Sequence, residues 1–573
     1  MKNKFTINTY DFSKKTVKSL ASTDTKEENW PVVYQIHKGN RIYVGETTNL
    51  KTRMWQHLDN PEKIKLSGGE INVIFDEEFN KSAALDLESF LIRYFSGDNK
   101  FSVINRNDGM LDRDYYNREE YREMFEQIWE NLRKLNIADK TIAEINNSEL
   151  FKFSPYKNLN FEQLKVVTEV LMNIDESLSN QSKSLSIIGG DAGTGKTIVV
   201  MYLAKLLADL QNFDQANDDI DDESNFAVFF EHNQRFKKLR IALIIPQSAL
   251  CKRIRQIFSK VGLGDANIQI YSPLQFAQTD GIFDITLVDE AHLLKIGISH
   301  ATQNGKVKEI NRKLFGTPEG HTELDWIMHN SNNVVIVYSK TQRVRQINLT
   351  DADVEKYKDD FTCRDYYLNK QMRSLGGESF INYINNIFSR SLHPADKEIF
   401  PHFEARLYSN LKDMVNEIQK KENKYGLSRL VAGFAWEWAT HKHKAEYDIE
   451  IDGAKLKWNN PGQMPSSSEA STIVSSIYTI QGEDLNYAGV IIGKDLRYKK
   501  GRLYFDPKHY YDTGAKNRNS HQIKNKIKID DDILLEQVLR VYKVLLSRAV
   551  KGVYIFACDE GLRKYLTKYF DVY

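Results

Sequence analysis

A glycine-rich turn between two apolar segments constrains this chain more than any other feature. Residues 184–188 read as a short buried strand, and residues 197–207 have the apolar spacing of a helix. The turn fits G-x-x-x-x-G-K-T: glycines let backbone N–H groups face phosphate oxygens, the lysine reaches the β- and γ-phosphates, and the threonine hydroxyl binds Mg²⁺. The pattern is carried by Gly190, Gly193, Gly195, Lys196 and Thr197. We therefore predict that the chain binds ATP with Mg²⁺.

Length and composition set the broad class. With 573 residues the chain exceeds one hydrophobic core, and we expect two to four domains. The formal net charge of +1 neither favours nor excludes nucleic acid, because a basic groove can lie within a neutral total. We find no apolar run that could span a membrane and no signal-peptide core, so we expect a cytoplasmic protein. Three scattered cysteines form neither a disulfide framework nor a metal cluster.

The first hundred residues predict a small module of strands and helices. A polar leader precedes it, and Asn105 stands at its end. Taken singly, its polar residues are unremarkable, since strand tyrosines usually pack in cores and helix glutamates usually face water. The predicted elements are strands at 30–36 and 41–45, a helix at 49–58, a strand at 70–75 and a helix at 82–94.

The order of these residues resembles the GIY-YIG nuclease family over residues 30–108. Val32-Val33-Tyr34 stands at the first tripeptide of that family, with Val-Val in place of Gly-Ile, and Tyr43-Val44-Gly45 stands at the second. The other family positions are matched by Arg53, His57, Glu88 and Asn105. The resemblance implies a mixed α/β endonuclease module. A degenerate module that binds DNA or a partner without cutting is the alternative.

The resemblance also implies a mechanism for cutting a phosphodiester. Glu88 would hold one Mg²⁺ on the scissile phosphate, and Arg53 would stabilise the developing negative charge. Tyr34, Tyr43 or His57 would accept the proton from the attacking water, and the sequence does not select among the three.

A second strong signal lies downstream of the glycine-rich turn. Residues 283–292, FDITLVDEAH, read as an apolar strand that delivers Asp289 and Glu290 at its carboxyl end, where α/β sheets bind ligands. Asp289 would reach the Mg²⁺ on Thr197, and Glu290 would orient the attacking water. Residues 334–342 repeat the strand-then-polar design, with Gln342 as a γ-phosphate sensor assisted by Arg343.

Residues 156–573 resemble the Schlafen group 3-like DNA/RNA helicase domain, a superfamily 1 relative with two RecA-like lobes. The stretches LNKQMRSLGGE at 368–378 and VAGFAWEW at 431–438 fit that branch. The resemblance implies that Gln163 reads adenine and that Arg373 and Arg548 neutralise the γ-phosphate. It further implies that Gly482 allows close backbone approach and that Glu483 contacts nucleotide or nucleic acid.

Other stretches remain open between two interpretations. The acidic residues 209–223 predict a surface insertion. Basic and aromatic residues mix near Lys499, Lys508, Lys516 and Lys524, which fits either a strand-tracking groove or a solvated loop. Trp436, Trp438 and Trp458 would stack on bases or pack in a core.

Taken together, these features predict an α/β protein. The expected domains are a leader at 1–29, a GIY-YIG module at 30–110, a helical linker at 111–155, and RecA-like lobes at 156–350 and 351–573. We expect an ATP-dependent nuclease–helicase with DNA preferred over RNA, and the architecture is similar to bacterial phage-defence nuclease–helicases. The alternatives are an ATP-switched nucleic-acid sensor and a repair or mobile-element nuclease. A homo-oligomer stays open.

Overall fold

The computed structural model describes most of the 573 residues. The residues predicted as the centre of an acidic insertion, and the basic segments at Lys516 and Lys524, lie outside the described part. The described residues are 5–20, 29–105, 115–215, 225–264, 268–297, 304–343, 345, 347–389, 397–442, 444–459, 464–480, 482–512, 515 and 530–573.

Strands and helices are numbered here in chain order. The strands are β1 Thr6–Asp11, β2 Val32–Lys38, β3 Arg41–Thr47, β4 Glu70–Phe75, β5 Ser102–Val103, β6 Ser184–Gly190, β7 Ile241–Ile244, β8 Gln269–Tyr271, β9 Phe283–Val288, β10 Ser331–Tyr338, β11 Thr362–Leu368, β12 Glu404–Leu407, β13 Ser428–Ala432, β14 Ile449–Ile451, β15 Ala454–Trp458, β16 Ile473–Ser476, β17 Leu485–Ile492, β18 Leu496–Lys499, β19 Arg502–Phe505, β20 Ala549–Ala557 and β21 Asp571–Val572.

The helices connect and cover these strands. The α-helices are α1 Lys14–Leu20, α2 Leu50–Asp59, α3 Lys81–Asp98, α4 Arg118–Lys134, α5 Ile142–Asn147, α6 Glu149–Lys152, α7 Phe161–Asn180, α8 Lys196–Asn212, α9 Ala227–Glu231, α10 Ser248–Lys260, α11 Pro273–Phe276, α12 Asn304–Phe315, α13 Glu323–His329, α14 Asp351–Glu355, α15 Gly377–Ile387, α16 Leu411–Tyr425, α17 Ile477–Ile480, α18 Asp531–Leu546 and α19 Glu560–Leu566.

The N-terminal module is built on a five-stranded sheet in the order β1-β4-β2-β3-β5. Strands β2 and β3 form the predicted antiparallel hairpin, and α2 and α3 occupy the two predicted helical stretches. The leader differs from the prediction. Strand β1 pairs antiparallel with β4 along its whole length, so part of the polar leader belongs to the module. The side chains of β1 are all exposed or half-buried and form no apolar run, so the strand has no strong sequence signal.

The first lobe contains a six-stranded parallel sheet in the order β11-β6-β10-β9-β7-β8. Because β6, β10 and β9 are neighbours and parallel, the polar residues that follow them meet at one edge. The lobe extends beyond the predicted boundary at residue 350. Strand β11 pairs with β6, so the sheet takes its last strand from residues 362–368.

The second lobe contains an eight-stranded sheet in the order β14-β15-β16-β13-β17-β20-β12-β21. Its described pairings are parallel except for the β14–β15 hairpin at one end. Strands β18 and β19 form a separate antiparallel hairpin after β17. Two parallel sheets with helices around them, together with the small N-terminal sheet, confirm the predicted α/β class.

The helical linker packs on the N-terminal module. Five residues on one face of α4 lie in the same core as β2, β3 and α3. Helix α4 begins at Arg118, inside the predicted linker, and its buried residues have the spacing of one helical face. Among the described residues, no helix combines the length and apolar character needed to cross a membrane. The residues of the α4 face are Tyr121, Phe125, Ile128, Trp129 and Leu132.

Candidate functional site

The predicted nuclease residues converge on a buried tyrosine–histidine pair. Oη of Tyr34 on β2 lies 2.7 Å from Nε2 of His57 on α2. Burial lowers the pKa of His57 to about 2, and the positive charges of Lys63 and Arg53 contribute further. The imidazole is therefore neutral at physiological pH and can either accept a hydrogen bond from Tyr34 or donate one.

The glycine of the second tripeptide makes room for Tyr34. Gly45 is the direct cross-strand partner of Tyr34 in the β2–β3 pair. Opposed residues stand on the same face of a sheet, and a Cβ atom at position 45 would overlap the Tyr34 hydroxyl. Val32 and Val33, which replace Gly-Ile in the first tripeptide, are fully buried core residues. The tyrosine and its glycine partner are therefore the geometrically constrained part of the motif.

Arg53 lies one helical turn before His57. Burial acts to lower the pKa of Arg53, but the Tyr34 and Tyr43 hydroxyls outweigh it and hold that pKa above its ordinary value. The Tyr43 and His57 ring centroids are 5.0 Å apart. Nζ of Lys63 lies 4.5 Å from the Tyr43 ring centroid, so the site has a second cation. Sequence reasoning missed Lys63, because it follows α2 in a short 3₁₀ helix with no distinctive spacing.

Glu88 and Asn105 occupy different positions around the pair. Burial raises the pKa of Tyr34 well above its ordinary value, and the negative charge of Glu88 on α3 adds to that rise. Glu88 is half-buried and within electrostatic range of the tyrosine. Asn105 accepts from the N–H of Val44 at 3.0 Å and donates to its carbonyl at 2.8 Å. Asn105 thus supports the β3 backbone beside Tyr43.

The phosphate-binding loop joins β6 to α8. Gly190, Gly193 and Gly195 have φ values of 154°, 87° and 81°, a region that favours glycine. Nζ of Lys196 donates to the carbonyl oxygens of Gly190 and Asp191 at 2.9 and 2.7 Å. Burial lowers the pKa of Lys196 to about 8. The ammonium group lies at the start of α8, where the helix dipole and free N–H groups favour an anion.

Asp289 lies at the carboxyl end of β9, opposite the loop. The hydroxyl of Thr197 donates to its two carboxylate oxygens at 3.0 and 3.2 Å. The backbone N–H of Glu290 donates to the same carboxylate at 3.0 Å. Burial and the neighbouring charge of Glu290 raise the pKa of Asp289 to about 7. A cation at this carboxylate would relieve both effects.

Glu290 has a left-handed backbone with φ of 50° and lies in a strongly cationic setting. Burial opposes its ionisation, but His292, Lys196, Arg548 and Arg373 together lower its pKa. Nε2 of His292 is 3.2 Å from the carboxylate of Glu290. The glutamate is therefore held as a carboxylate, the form that can orient a water molecule.

The two predicted arginines, which lie outside the first lobe's sheet, are close enough to Glu290 to lower its pKa. Arg373 forms an ion pair with the carboxylate of Asp484. Arg548 is 1% exposed, and one of its Nη atoms donates to the carbonyl of Glu483 at 3.4 Å. Among the described residues, Nε and the other Nη of Arg548 have no hydrogen-bond partner. Burial and the charge of Arg373 lower the pKa of Arg548 to about 10. Because this value is still above neutral pH, the guanidinium stays charged and its unpartnered N–H groups can bind an anion.

Gln163 is engaged within the protein on both sides of its amide. Its Oε1 accepts from the N–H of Asn160 at 3.1 Å, and its Nε2 donates to the carbonyl of Thr194 at 3.2 Å. Its adenine contact therefore stays a prediction, while its observed role is to cap α7 and brace the loop. Nε2 of Gln371 also donates to the loop, to the carbonyl of Ala192 at 2.7 Å. Sequence reasoning did not select Gln371.

Gln342 follows β10 and lines a cleft of about 610 Å³ between the two lobes. The cleft begins at Asp191 of the phosphate-binding loop, whose carboxylate accepts from the Thr341 hydroxyl at 3.0 Å. Arg343 and, from α18, Arg540 also line it. The predicted γ-phosphate sensor thus lies next to the loop, at an opening between the lobes.

Glu483 is engaged within the protein. Its side chain is 1% exposed, and its carboxylate pairs with Arg253 of α10. One carboxylate oxygen has no hydrogen-bond partner among the described residues, and the contact of Glu483 with nucleotide or nucleic acid stays a prediction. Gly482, with φ of 88°, keeps the permissive backbone expected of it. Trp458 is also buried, against Phe434, so core packing accounts for that tryptophan.

The donor sets fit Mg²⁺ bound mainly through phosphates. Within the described part of the chain, no group of three or more His, Cys, Asp or Glu side chains is arranged to hold a metal. Mg²⁺ requires only one or two protein oxygens when substrate phosphates and water complete its shell. Thr197 with Asp289, and separately Glu88, supply oxygens of this kind.

Two family models match separate parts of the chain. Residues 183–559 match the Schlafen group 3, DNA/RNA helicase domain. Residues 31–101 match the GIY-YIG catalytic domain. The first match alone covers more than half of the chain, and the two matches confirm both resemblances noted in the sequence.

Similar proteins were found among curated proteins and solved structures. An uncharacterized protein of Saccharomyces cerevisiae, YPL245W, is 27% identical over 447 residues, covering 72% of this chain and 90% of that protein. The Arterivirus nonstructural protein 10 helicase is 13% identical with a TM-score of 0.29, covering 70% of this chain and 63% of that one. The DEAD-box helicase Mss116, bound to ssRNA and UDP-BeF, is 11% identical with a TM-score of 0.30, covering 72% and 76%.

Proposed function

The chain belongs to the Schlafen group 3 DNA/RNA helicase domain family and carries a GIY-YIG catalytic domain, and from this premise we propose an ATP-driven nuclease–helicase that acts on DNA. One observation carries the proposal. The Tyr34–His57 contact of 2.7 Å and the Thr197–Asp289 contact of 3.0 Å belong to two polar sites built on different sheets of one chain. Each site has the residues for its own phosphate chemistry.

In the ATP site, Lys196 exchanges its carbonyl partners for the β- and γ-phosphates. Glu290 orients a water molecule toward the γ-phosphorus, and Arg373 and Arg548 neutralise the charge that develops there. Thr197 and Asp289 would hold the Mg²⁺, which would supply further charge neutralisation. Closure of the lobes on ATP and their reopening after hydrolysis would change their contacts with the bound nucleic-acid strand.

In the nuclease site, a water oxygen attacks the phosphorus and the P–O bond to the leaving strand breaks. Arg53 neutralises the phosphate, and Glu88 would hold the Mg²⁺ that lowers the pKa of the water. The Tyr34–His57 hydrogen bond supports these two residues as the path for the proton, with Tyr34 passing its own proton to the neutral imidazole as it takes one from water. The negative charge of a bound phosphate would oppose the fields of Lys63 and Arg53 and raise the pKa of His57 from its value of about 2. Tyr43 remains the alternative acceptor.

Nucleic acid has a basic surface available on the β18–β19 hairpin. Register places Arg497, Lys499, Arg502 and Tyr504 on the face opposite the buried Leu496 and Leu503. Within residues 494–511 no carboxylate is on an exposed residue, since Asp495 is buried and Asp506 pairs with Arg497. This supports the strand-tracking interpretation of the residues near Lys499 over a neutral solvated loop.

The test is separation of function in the full-length protein. Lys196→Ala should abolish ATP hydrolysis and strand displacement, while Glu88→Ala should abolish cleavage and leave ATP hydrolysis within about twofold of wild type. ATP turnover, strand displacement on tailed duplexes, and nicking of plasmid DNA and RNA are measured in parallel with Mg²⁺ and with EDTA. A purified Glu88→Ala variant that still nicks would refute the nuclease assignment.

Strand displacement and a role in phage defence are tested separately. ATP hydrolysis without strand release would favour the alternative, an ATP-switched nucleic-acid sensor. We further propose a role in bacterial defence against phage, by analogy of architecture. Survival of phage-challenged cells expressing wild type, Lys196→Ala or Glu88→Ala tests this role. A mobile-element or repair nuclease would give no protection in that assay.

A further inference from the structure

Helices α5 and α6 form a junction between the N-terminal module and the motor. On one side they pack against α3, the helix that carries Glu88. The Tyr94 hydroxyl donates to Asn146 at 3.0 Å, and a Cβ atom at Gly97 would overlap Ile145 and Phe151. The two helical segments are therefore in direct backbone-to-side-chain contact.

On the other side the same helices contact both lobes. Nδ2 of Asn147 donates to the carbonyl of Tyr425 at 2.9 Å, and Nδ2 of Asn486 donates to Asn147 at 3.0 Å. Arg253 from the first lobe pairs with both Glu149 of α6 and Glu483 of the second lobe. A movement of one lobe relative to the other must therefore act on α5 and α6.

The contacts meet at Asp484. Nζ of Lys152, at the end of α6, donates to the carbonyl of Asp484 at 3.1 Å. The carboxylate of Asp484 forms the ion pair with Arg373. Lys157 also lies in its field, because the charge of Asp484 opposes the lowering of the Lys157 pKa by burial, by Arg93 of α3 and by Lys152. The carboxylate of Asp484 thus pairs with Arg373 of the ATP cleft and lies in the field of Lys152 and Lys157, while Arg93 of α3 lies in the field of Lys157.

We propose that Asp484 positions Arg373 and passes the nucleotide state of the motor to the nuclease module through Lys152. The γ-phosphate and Asp484 compete for the charge of one guanidinium, because Arg373 pairs with Asp484 through Nε while one Nη has no hydrogen-bond partner among the described residues, so a phosphate contact weakens the pair with Asp484. When Arg373 turns to the γ-phosphate, the carboxylate of Asp484 is left to Lys152 and Lys157. This draws α5 and α6 toward the second lobe and displaces α3. The proposal rests on the proposed function, since it assigns regulation to the Glu88 site.

The two alternative partners of Arg373 make this a two-state element. The γ-phosphate carries more charge than a carboxylate, so ATP favours the state in which Arg373 leaves Asp484. Coupling between sites is reciprocal, and a factor of about five or more is usual for an identified coupling. Glu88 and Arg93 lie five positions apart on α3, so a shift at the Arg93 end reaches the nuclease site.

The experiment compares Lys152→Met with Lys152→Arg in the full-length protein. Lys134→Met, at an exposed position at the end of α4, is the matched control. Hydrogen–deuterium exchange of the peptides covering residues 81–98 is measured with and without a non-hydrolysable ATP analogue. In wild type, Lys152→Arg and Lys134→Met, we expect the analogue to change exchange by about fivefold. In Lys152→Met the change should fall below about twofold with ATP hydrolysis retained.

The exchange readout does not require cleavage, so it separates two failures. No analogue effect on residues 81–98 in wild type, or an undiminished effect in Lys152→Met, overturns the coupling. Loss of catalysis is judged separately by Lys196→Ala and Glu88→Ala and concerns the proposed function alone. The ratio of nicking rates with and without the analogue should follow the exchange result in each variant.

Discussion

Burial of His57 affects both its protonation state and the stability of the fold. Its ring is 1% exposed, and its Nε2 is 2.7 Å from the Tyr34 hydroxyl. Because burial lowers the pKa of His57 to about 2, the imidazole stays neutral in the folded module. In the unfolded chain it is protonated below its ordinary pKa of 6.5. The residue proposed to accept a catalytic proton therefore also makes the fold sensitive to acid.

The sign of that sensitivity gives a prediction. Below pH 6.5 the unfolded chain binds the proton that folded His57 excludes, so stability falls as pH decreases from 6.5 toward 2. At pH 5.5 the loss from this one group is about 1.4 kcal/mol. His57→Gln should remove that share, which we would measure as a smaller difference in Tm between pH 7.5 and 5.5.

His402→Gln is the control for this measurement, because His402 is exposed. It should keep the wild-type difference in Tm between the two pH values. Equal pH dependence in wild type and His57→Gln would show that the folded state admits the proton, and the neutral-imidazole account would then be wrong.

At the scale of elements, local sequence predicts type better than extent. The helix predicted at 82–94 spans Lys81–Asp98, because the Asn80 side chain caps its start and Asn99, with φ of 62°, ends it. These caps lie outside the apolar repeat from which the helix was predicted. The strands at 30–36 and 70–75 were found because their apolar residues are contiguous, whereas β1 has no such run.

The β18–β19 hairpin gives a prediction at this scale. Charge reversal of Lys499 and Arg502 to Glu should weaken single-stranded DNA binding by about tenfold or more, since each removed phosphate contact reduces counterion release. The slope of log K against log salt should fall by about 1 to 2. Fluorescence anisotropy between 50 and 200 mM salt measures both, and ATP hydrolysis without DNA should stay unchanged.

Lys412→Glu with Lys424→Glu, both exposed on α16, changes the net charge by the same amount and is the matched control. A hairpin variant that binds like this control would assign the basic face to solvent. Equal losses in both variants would indicate a general charge effect rather than a local contact.

At the scale of the whole molecule, Arg345 links the two lobes. Its guanidinium lies 3.7 Å from the centre of the Tyr478 ring, and its Nε is 3.9 Å from the carboxylate of Asp512. Arg345 follows the first lobe's β10, whereas both partners belong to the second lobe. A desolvated cation–π contact contributes about 1–2 kcal/mol, enough to bias an equilibrium between closed and open lobes.

Arg345→Met should therefore shift the lobes toward an open state by about 5- to 30-fold in population. Small-angle scattering without nucleotide should give a larger radius of gyration, and an ATP analogue should reverse the increase. Arg312→Met, at an exposed position on α12, should leave the scattering unchanged. An unaltered radius in Arg345→Met would mean that other interlobe contacts set the closed state.

Some of the site depends on contacts that no local pattern contains. Lys63, Gln371 and the Arg253–Glu483 pair join residues that have no shared motif, and the last pair is separated by 230 positions. Glu483 was predicted to contact nucleotide or nucleic acid from the resemblance of its neighbours to a helicase motif, and in the structure its carboxylate pairs with Arg253. Gln163 likewise braces the loop with the amide that was expected to read adenine.

The sequence by itself determined the α/β class, the glycine-rich turn between β6 and α8 and the place of Asp289 and Glu290 at the end of β9, because each depends on residues that are contiguous along the chain. An apolar run followed by glycines or carboxylates predicts both a buried strand and the functional groups at its carboxyl end. Only the tertiary structure decided which distant charges share a carboxylate at Asp484 and which glycine makes room for Tyr34. Those choices arise when strands and domains pack, and chain order does not record them.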